Sequence, residues 1–148
     1  ADVAYANGVR VILNPAPACH LDDDLLSKLY AITPNETECV LICGLKATGN
    51  PYEDAVLLLE KGVKNVIVTL GENGSILVNE DGSFSVPARK VKAVDTVAAG
   101  DTYNGALCVA LSKGKSFKEA MEYATEASAI AVTRVGAQAS IPYAEELE

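Results

Sequence analysis

"AVDTVAAGDTYNGA" spans Ala93–Ala106 and sets two aspartates, Asp95 and Asp101, around a run of small residues before a helical pattern begins. Ala98, Ala99 and Gly100 carry little or no side chain, so an anion can come close to the backbone there. The first N–H groups of a helix have no internal partner, and together with the helix dipole they favour negative charge. A phosphoryl group in transfer is stabilised mainly by positioned donors. A carboxylate at the same helix start can accept the proton of an attacking hydroxyl. The stretch therefore fits phosphoryl transfer without a Walker lysine. On spacing alone a second reading stays open: Asp101 complements the helix N-terminus and Asp95 closes a turn.

On either side of this loop, the pattern is one of alternating strands and helices. "ADVAYANG" reads as the last turns of a helix closed by Gly8, and Val9–Asn14 as a strand followed by the turn "PAPA". "LDDDLLSKLY" reads as a short helix, and "AITPNETE" as a strand end running into a helix start. "PYEDAVLLLEKG" reads as a helix with Pro51 at its start and Gly62 at its end. Lys64–Gly71 is a buried strand rich in β-branched residues, and "SILVNEDGSFSVPA" a hairpin turning at Glu80–Gly82. Helices are expected from about Asp101 to Lys113, then from Ser116 to a close at Gly136, with a tail helix in "PYAEELE". This order implies an α/β domain with a largely parallel sheet flanked by helices and carrying a β-hairpin. No internal repeat or low-complexity linker is visible. A chain that opens in mid-element suggests that the amino-terminal part of a larger fold is absent; a processed start is the other reading.

The 148 residues make about one domain, and 49% are hydrophobic, enough for a sizeable core. The formal net charge of −8 and the pI near 4.6 argue against a nucleic-acid or anionic-membrane surface, which needs a basic patch. No run approaches the roughly 18 apolar residues of a membrane span. No signal-peptide pattern is visible, so the expected compartment is cytoplasmic and reducing. Cys39 and Cys43 sit at helical spacing in an apolar run, which suits core packing. His20, the one histidine, lies beside "LDDDLL" and reads as part of a solvated helix start.

Two further stretches could carry chemistry. "TLGENG" (Thr69–Gly74) is a strand followed by a glycine-bearing turn, and ligands of open α/β sheets lie beyond the carboxyl ends of strands. "TPNETE" places Asn35 and Glu38 around a helix start, where a capping box is the plain reading. Neither a GxxxxGK[ST] nor a GxGxxG motif is present.

Taken in order, "LNPAPA", "ITPNETE", "VIVTLGENGS", "VPARKVKAVDTVAAGDTYNGAL" and "AIAVTRVGAQASIP" resemble the carboxyl-terminal half of the ribokinase-like (PfkB) sugar kinases. The resemblance covers nearly all of residues 1–148 and implies a ribokinase-like fold, truncated relative to the family. This chain would be its ATP-binding part, without the amino-terminal sugar-binding part and lid. It implies transfer of the γ-phosphoryl of MgATP to the 5-hydroxyl of D-ribose. Asp101 would be the base, and the amides of Ala99, Gly100 and Asp101 the anion hole behind Ala98, where the family more often has Gly. Asn35 matches an ATP-contacting residue, and Glu38 the acidic residue of an N-x-x-E motif tied to magnesium and phosphate effects. Thr69, Gly71, Glu72 and Gly74 match the nucleotide turn, and Thr125 an adenine-side position. A potassium site is implied at the Asp95 carboxylate, the carbonyls of Val97, Ala131, Arg134 and Gly136, and Ser140.

The implied partners are ATP and a small sugar, with no nucleic acid or membrane. Half of a parallel sheet should expose apolar surface, so the chain is expected to dimerise, aggregate or pair with an amino-terminal half. Alternatives are another acceptor (fructose, deoxyribose or a nucleoside) or a non-catalytic nucleotide-binding fragment.

Overall fold

The computed structural model describes residues 1–147. They form two compact units: Ala1–Gly71 with Ser75–Ser85, and Glu72–Gly74 with the chain from Val86 onward.

The first unit holds the sheet. Its helices are α1 (Asp2–Ala6), α2 (Asp23–Ser27), α3 (Glu36–Cys43) and α4 (Pro51–Glu60). Its strands are β1 (Ile12–Leu13), β2 (Ala31–Ile32), β3 (Asn65–Thr69), β4 (Ser75–Asn79) and β5 (Gly82–Val86), in spatial order β1-β2-β3-β4-β5. β1, β2 and β3 run parallel, with Leu13 opposite Ile32 and Ile32 opposite Val66. β4 returns antiparallel to β3, with Thr69 opposite Ser75, and the two-residue turn at Glu80 and Asp81 brings β5 beside β4. The sheet is thus mixed: the expected hairpin joins the parallel strands at one side. Such short links permit only antiparallel neighbours, whereas β1, β2 and β3 are separated by crossovers.

β1 is shorter than the expected Val9–Asn14. At its start the Val9 amide is taken by the Ala4 carbonyl at 2.9 Å, and at its end Pro15 lacks the N–H a ladder needs. The core of this unit is built from Leu26, Leu29, Ile32, Leu58, Val66, Val68 and Ile76. Cys39 and Cys43 are part of it. Burial pushes both thiols above the ordinary cysteine value, and the Cys43 thiol donates to the Asp54 carbonyl at 3.3 Å. They are packing residues, as expected. α4 starts as its sequence dictates: Asn50 accepts from the amides of Tyr52 and Glu53, and Pro51 fills the first turn.

The second unit is dominated by α5 (Ala99–Ser112) packed on α6 (Phe117–Ala131). Ala120, Ala124, Ala127 and Ala131 form a buried small-residue stripe on α6. Leu107 and Leu111 of α5 and Met121 of α6 fill the space that such side chains leave. α6 opens with a capping box between Ser116 and Glu119.

Three boundaries differ from the sequence reading. α5 begins at Ala99, slightly ahead of the expected start near Asp101, so Asp101 lies within its first turn. α6 stops at Ala131 rather than Gly136. The Thr133 hydroxyl takes the Ile130 carbonyl at 2.7 Å, and the amides of Val94 and Asp95 take the Val132 carbonyl at 2.7 and 3.2 Å. Those bonds satisfy the helix end, so nothing drives another turn. The tail helix is only a single 3-10 turn, Ala144–Glu146. No helix among the described residues is long and apolar enough to cross a membrane.

Candidate active site

In the first unit, the three parallel strands bring their carboxyl ends to one rim. β2 leads through Thr33 and Pro34 to Asn35, the N-cap of α3. Asn35 Oδ1 accepts from the Glu38 amide at 2.9 Å, and Glu38 Oε2 accepts from the Asn35 amide at 2.8 Å. The Thr69 amide donates to the Pro34 carbonyl at 3.0 Å, and Asn35 and Thr69 form a parallel bridge. Asn35, Glu38 and Thr69 therefore meet at one corner of the rim. Glu38 Oε1, the other carboxylate oxygen, takes no part in the box. Gly71, two residues on, has φ +55°, a left-handed turn that glycine adopts without strain. On the β1 side, Asn14 Nδ2 donates to the Thr33 carbonyl at 3.1 Å.

In the second unit, Ala98 is the N-cap of α5 and has no capping side chain. The amide of Ala99 donates to the Thr96 carbonyl at 3.1 Å, and that of Thr102 to the Ala98 carbonyl at 2.9 Å. This leaves the amides of Gly100 and Asp101 as the open donors of the first turn, with the Asp101 side chain exposed beside them. The Ser128 hydroxyl of α6 donates to the Ala99 carbonyl at 3.1 Å and ties this turn to the neighbouring helix.

Asp95 is a two-sided latch. Its Oδ1 accepts from the Val97 amide at 3.0 Å, and its Oδ2 accepts from the Gly136 amide at 3.0 Å. These bonds, Gly136 first, hold the carboxyl below the ordinary aspartate value, because both stabilise the charged form. Asp95, Val97 and Gly136 are thus brought together. The Ala131 carbonyl accepts from the Arg134 amide at 3.0 Å, and the Arg134 side chain pairs with Glu146. Ser140 is buried, its hydroxyl donating to the Ala137 carbonyl at 2.7 Å. Thr125 stands on α6 with its hydroxyl oxygen buried and without a partner among the described residues; the Thr102 hydroxyl is in the same state. Gly74 (φ +97°) lies so close to Val86 and Ala88 that no side chain fits. Glu72, in the 3-10 turn Gly71–Asn73, is exposed.

Sequence reasoning passed over the Val132 carbonyl, Ser128 and Asn14. A serine in an alanine-rich helix face and an asparagine just before a proline were the available signals. Neither says what the side chain meets.

Residues 1–144 match the family model described as pfkB family carbohydrate kinase. A ribokinase of Haemophilus influenzae is 43% identical over 99% of this chain and 48% of its own length. The crystal structure of a ribokinase from Thermotoga maritima superposes with a TM-score of 0.89 at 45% identity, over 98% of this chain and 50% of that one. An Arabidopsis thaliana ribokinase, solved in complex with ribose and ATP, superposes with a TM-score of 0.91 at 29% identity, over 99% of this chain and 48% of that one. The chain spans about half the length of the relatives it matches. With the ribokinase-like fold and this agreement along nearly its entire length, the chain belongs to the pfkB family of carbohydrate kinases.

Proposed function

We propose that this chain is the ATP-binding, carboxyl-terminal part of a ribokinase-type sugar kinase, transferring the γ-phosphoryl group of MgATP to the 5-hydroxyl of D-ribose. The observation that carries the reading is the first turn of α5, where open amides and a carboxylate share one helix start. The Asp101 carboxylate accepts the proton of the attacking sugar hydroxyl, raising the nucleophilicity of its oxygen. The amides of Gly100 and Asp101 donate to the phosphoryl oxygens as charge develops there. Ala98 and Ala99 contribute by their small size, since a larger side chain would hold the anion off the backbone. The similarity to a ribokinase solved with ribose and ATP supports the choice of substrates.

On the nucleotide side, the proposed contacts are Asn35, Thr69, Gly71, Glu72, Gly74 and Thr125. Glu38 would serve magnesium, which neutralises phosphate charge when bound. Its free Oε1 fits that task, because the capping box occupies only Oε2. A potassium ion is proposed beside Asp95. It would be held by that ionised carboxylate together with backbone and hydroxyl oxygens. The carbonyls of Val97, Ala131, Arg134 and Gly136, with Ser140, are the proposed donors. Such a cation would fix the loop that precedes Asp101. The sugar pocket and its lid would come from an amino-terminal half, on this chain's own protein or on a partner, and the compartment would be the cytoplasm.

The test is Asp101→Asn in the form of the protein that turns over ribose. Turnover should fall by roughly a hundredfold or more while MgATP affinity is kept. Near-normal turnover removes Asp101 as the base. A panel of ribose, deoxyribose, fructose and nucleosides reads the acceptor; the absence of sugar-dependent ADP release with intact ATP binding would favour a binding fragment.

A further inference from the structure

In a parallel ladder, every second residue of β2 donates to one β1 residue and accepts from the next but one. The Ala31 amide donates to the Val11 carbonyl at 3.2 Å, and the Thr33 amide to the Leu13 carbonyl at 2.9 Å. The register therefore assigns the Thr33 carbonyl to the amide of residue 15. Residue 15 is proline and has no N–H. Thr33 is 1% exposed, so water is a poor substitute. Asn14 Nδ2 donates to this carbonyl at 3.1 Å and also reaches the Thr33 hydroxyl oxygen at 3.5 Å. The orientation of the Asn14 amide follows, because a carbonyl can only accept and the NH2 group must face it. Beyond this joint the chain runs through Pro34, which accepts from Thr69, straight into the Asn35–Glu38 box.

We infer that Asn14 is a positioning residue: its side chain replaces the ladder donor missing at Pro15 and thereby sets the Thr33–Pro34–Asn35 turn that presents Asn35 and Glu38. The role deepens the nucleotide-side reading above and rests on it for its functional weight. Its structural half stands on the ladder alone. A side-chain donor here lets the strand pair be closed and the chain still turn away at a proline.

The experiment compares Asn14→Ala and Asn14→Asp with the unaltered chain. The Asp variant keeps the shape and loses the donor, so it separates hydrogen bonding from packing. Amide hydrogen exchange is read at Asn35 and Glu38, with the Ser116–Glu119 box as the internal control. Both variants should speed exchange at Asn35 and Glu38 by roughly fivefold, the effect of one ordinary hydrogen bond, and leave Ser116 and Glu119 unchanged. MgATP binding should weaken by a similar factor in samples with an unchanged melting profile. Adding Pro15→Ala to Asn14→Ala returns a backbone N–H to the ladder and should restore exchange protection. Unchanged protection in both single variants overturns the inference, as does a uniform loss that includes the control box. If the unaltered chain does not bind MgATP, the nucleotide reading fails, while the exchange data and the Pro15→Ala rescue still decide the role of Asn14.

Discussion

Asp95 and Gly74 show how much depends on single positions in the second unit. Asp95 joins Val97, two residues away, to Gly136, 41 residues away, through two 3.0 Å bonds to one carboxylate. An acceptor-only side chain is required, because an amide in its place would turn a donor towards a donor. Gly74 is constrained differently. A Cβ there would stand 2.1 Å from the Val86 carbonyl oxygen and 2.6 Å from the Ala88 nitrogen. Both are backbone atoms and cannot swing aside. Gly71 also has a left-handed φ, but open space lies around it. The two glycines should therefore separate in a denaturant titration. Gly71→Ala should cost about 1 kcal/mol, from the backbone conformation alone. Gly74→Ala should cost about 2–4 kcal/mol, since overlap adds to it. Equal losses would mean that the segment around Val86 yields to the extra atom.

The capping boxes of α3 and α6 have the same form and different surroundings. Asn35 and Glu38 stand at a strand rim, whereas Ser116 and Glu119 only start a helix. The Glu119 carboxyl is held below the ordinary glutamate value by hydrogen bonds from the Ser116 hydroxyl and amide. A depressed folded value places the sign: the box contributes fully above the ordinary glutamate range and loses its contribution as pH falls through the lower folded value. Ser116→Ala should therefore destabilise by about 1 kcal/mol at neutral pH. The difference from the unaltered chain should shrink below roughly pH 4. A difference that is constant across this range would detach the effect from Glu119. The α5–α6 pair, by contrast, rests on alanines facing leucines and a methionine, a pattern visible in the sequence as a helix unusually rich in small residues.

Among the described residues, apolar side chains are left uncovered in each unit. Val3, Tyr5 and Leu45 are exposed in the first, and Val97, Val135 and Tyr143 in the second. β1 is an edge strand with only β2 beside it. Coupled with the half-length match to its relatives, this supports a partner for the chain, either a second copy or the family's amino-terminal half. Sedimentation velocity should show self-association that rises with concentration and is suppressed when an amino-terminal half from a full-length relative is co-expressed. A strictly monomeric chain, indifferent to that half, would remove the pairing.

The sequence by itself determined the order of the elements, the glycine turns, the Asn35–Glu38 capping box and the small-residue approach to Asp101. These are local matters: φ preference, side-chain size and the period of apolar residues act within a few positions. The family signature was legible for the same reason, being short and contiguous. Only the tertiary structure decided that the Val132 carbonyl ends α6 by meeting Val94 and Asp95. It also decided that Asn14 stands in for the absent amide of Pro15. Each of these depends on which backbone group lies opposite another after the chain has closed, and a hydrogen-bond partner tens of residues away leaves no trace in local pattern.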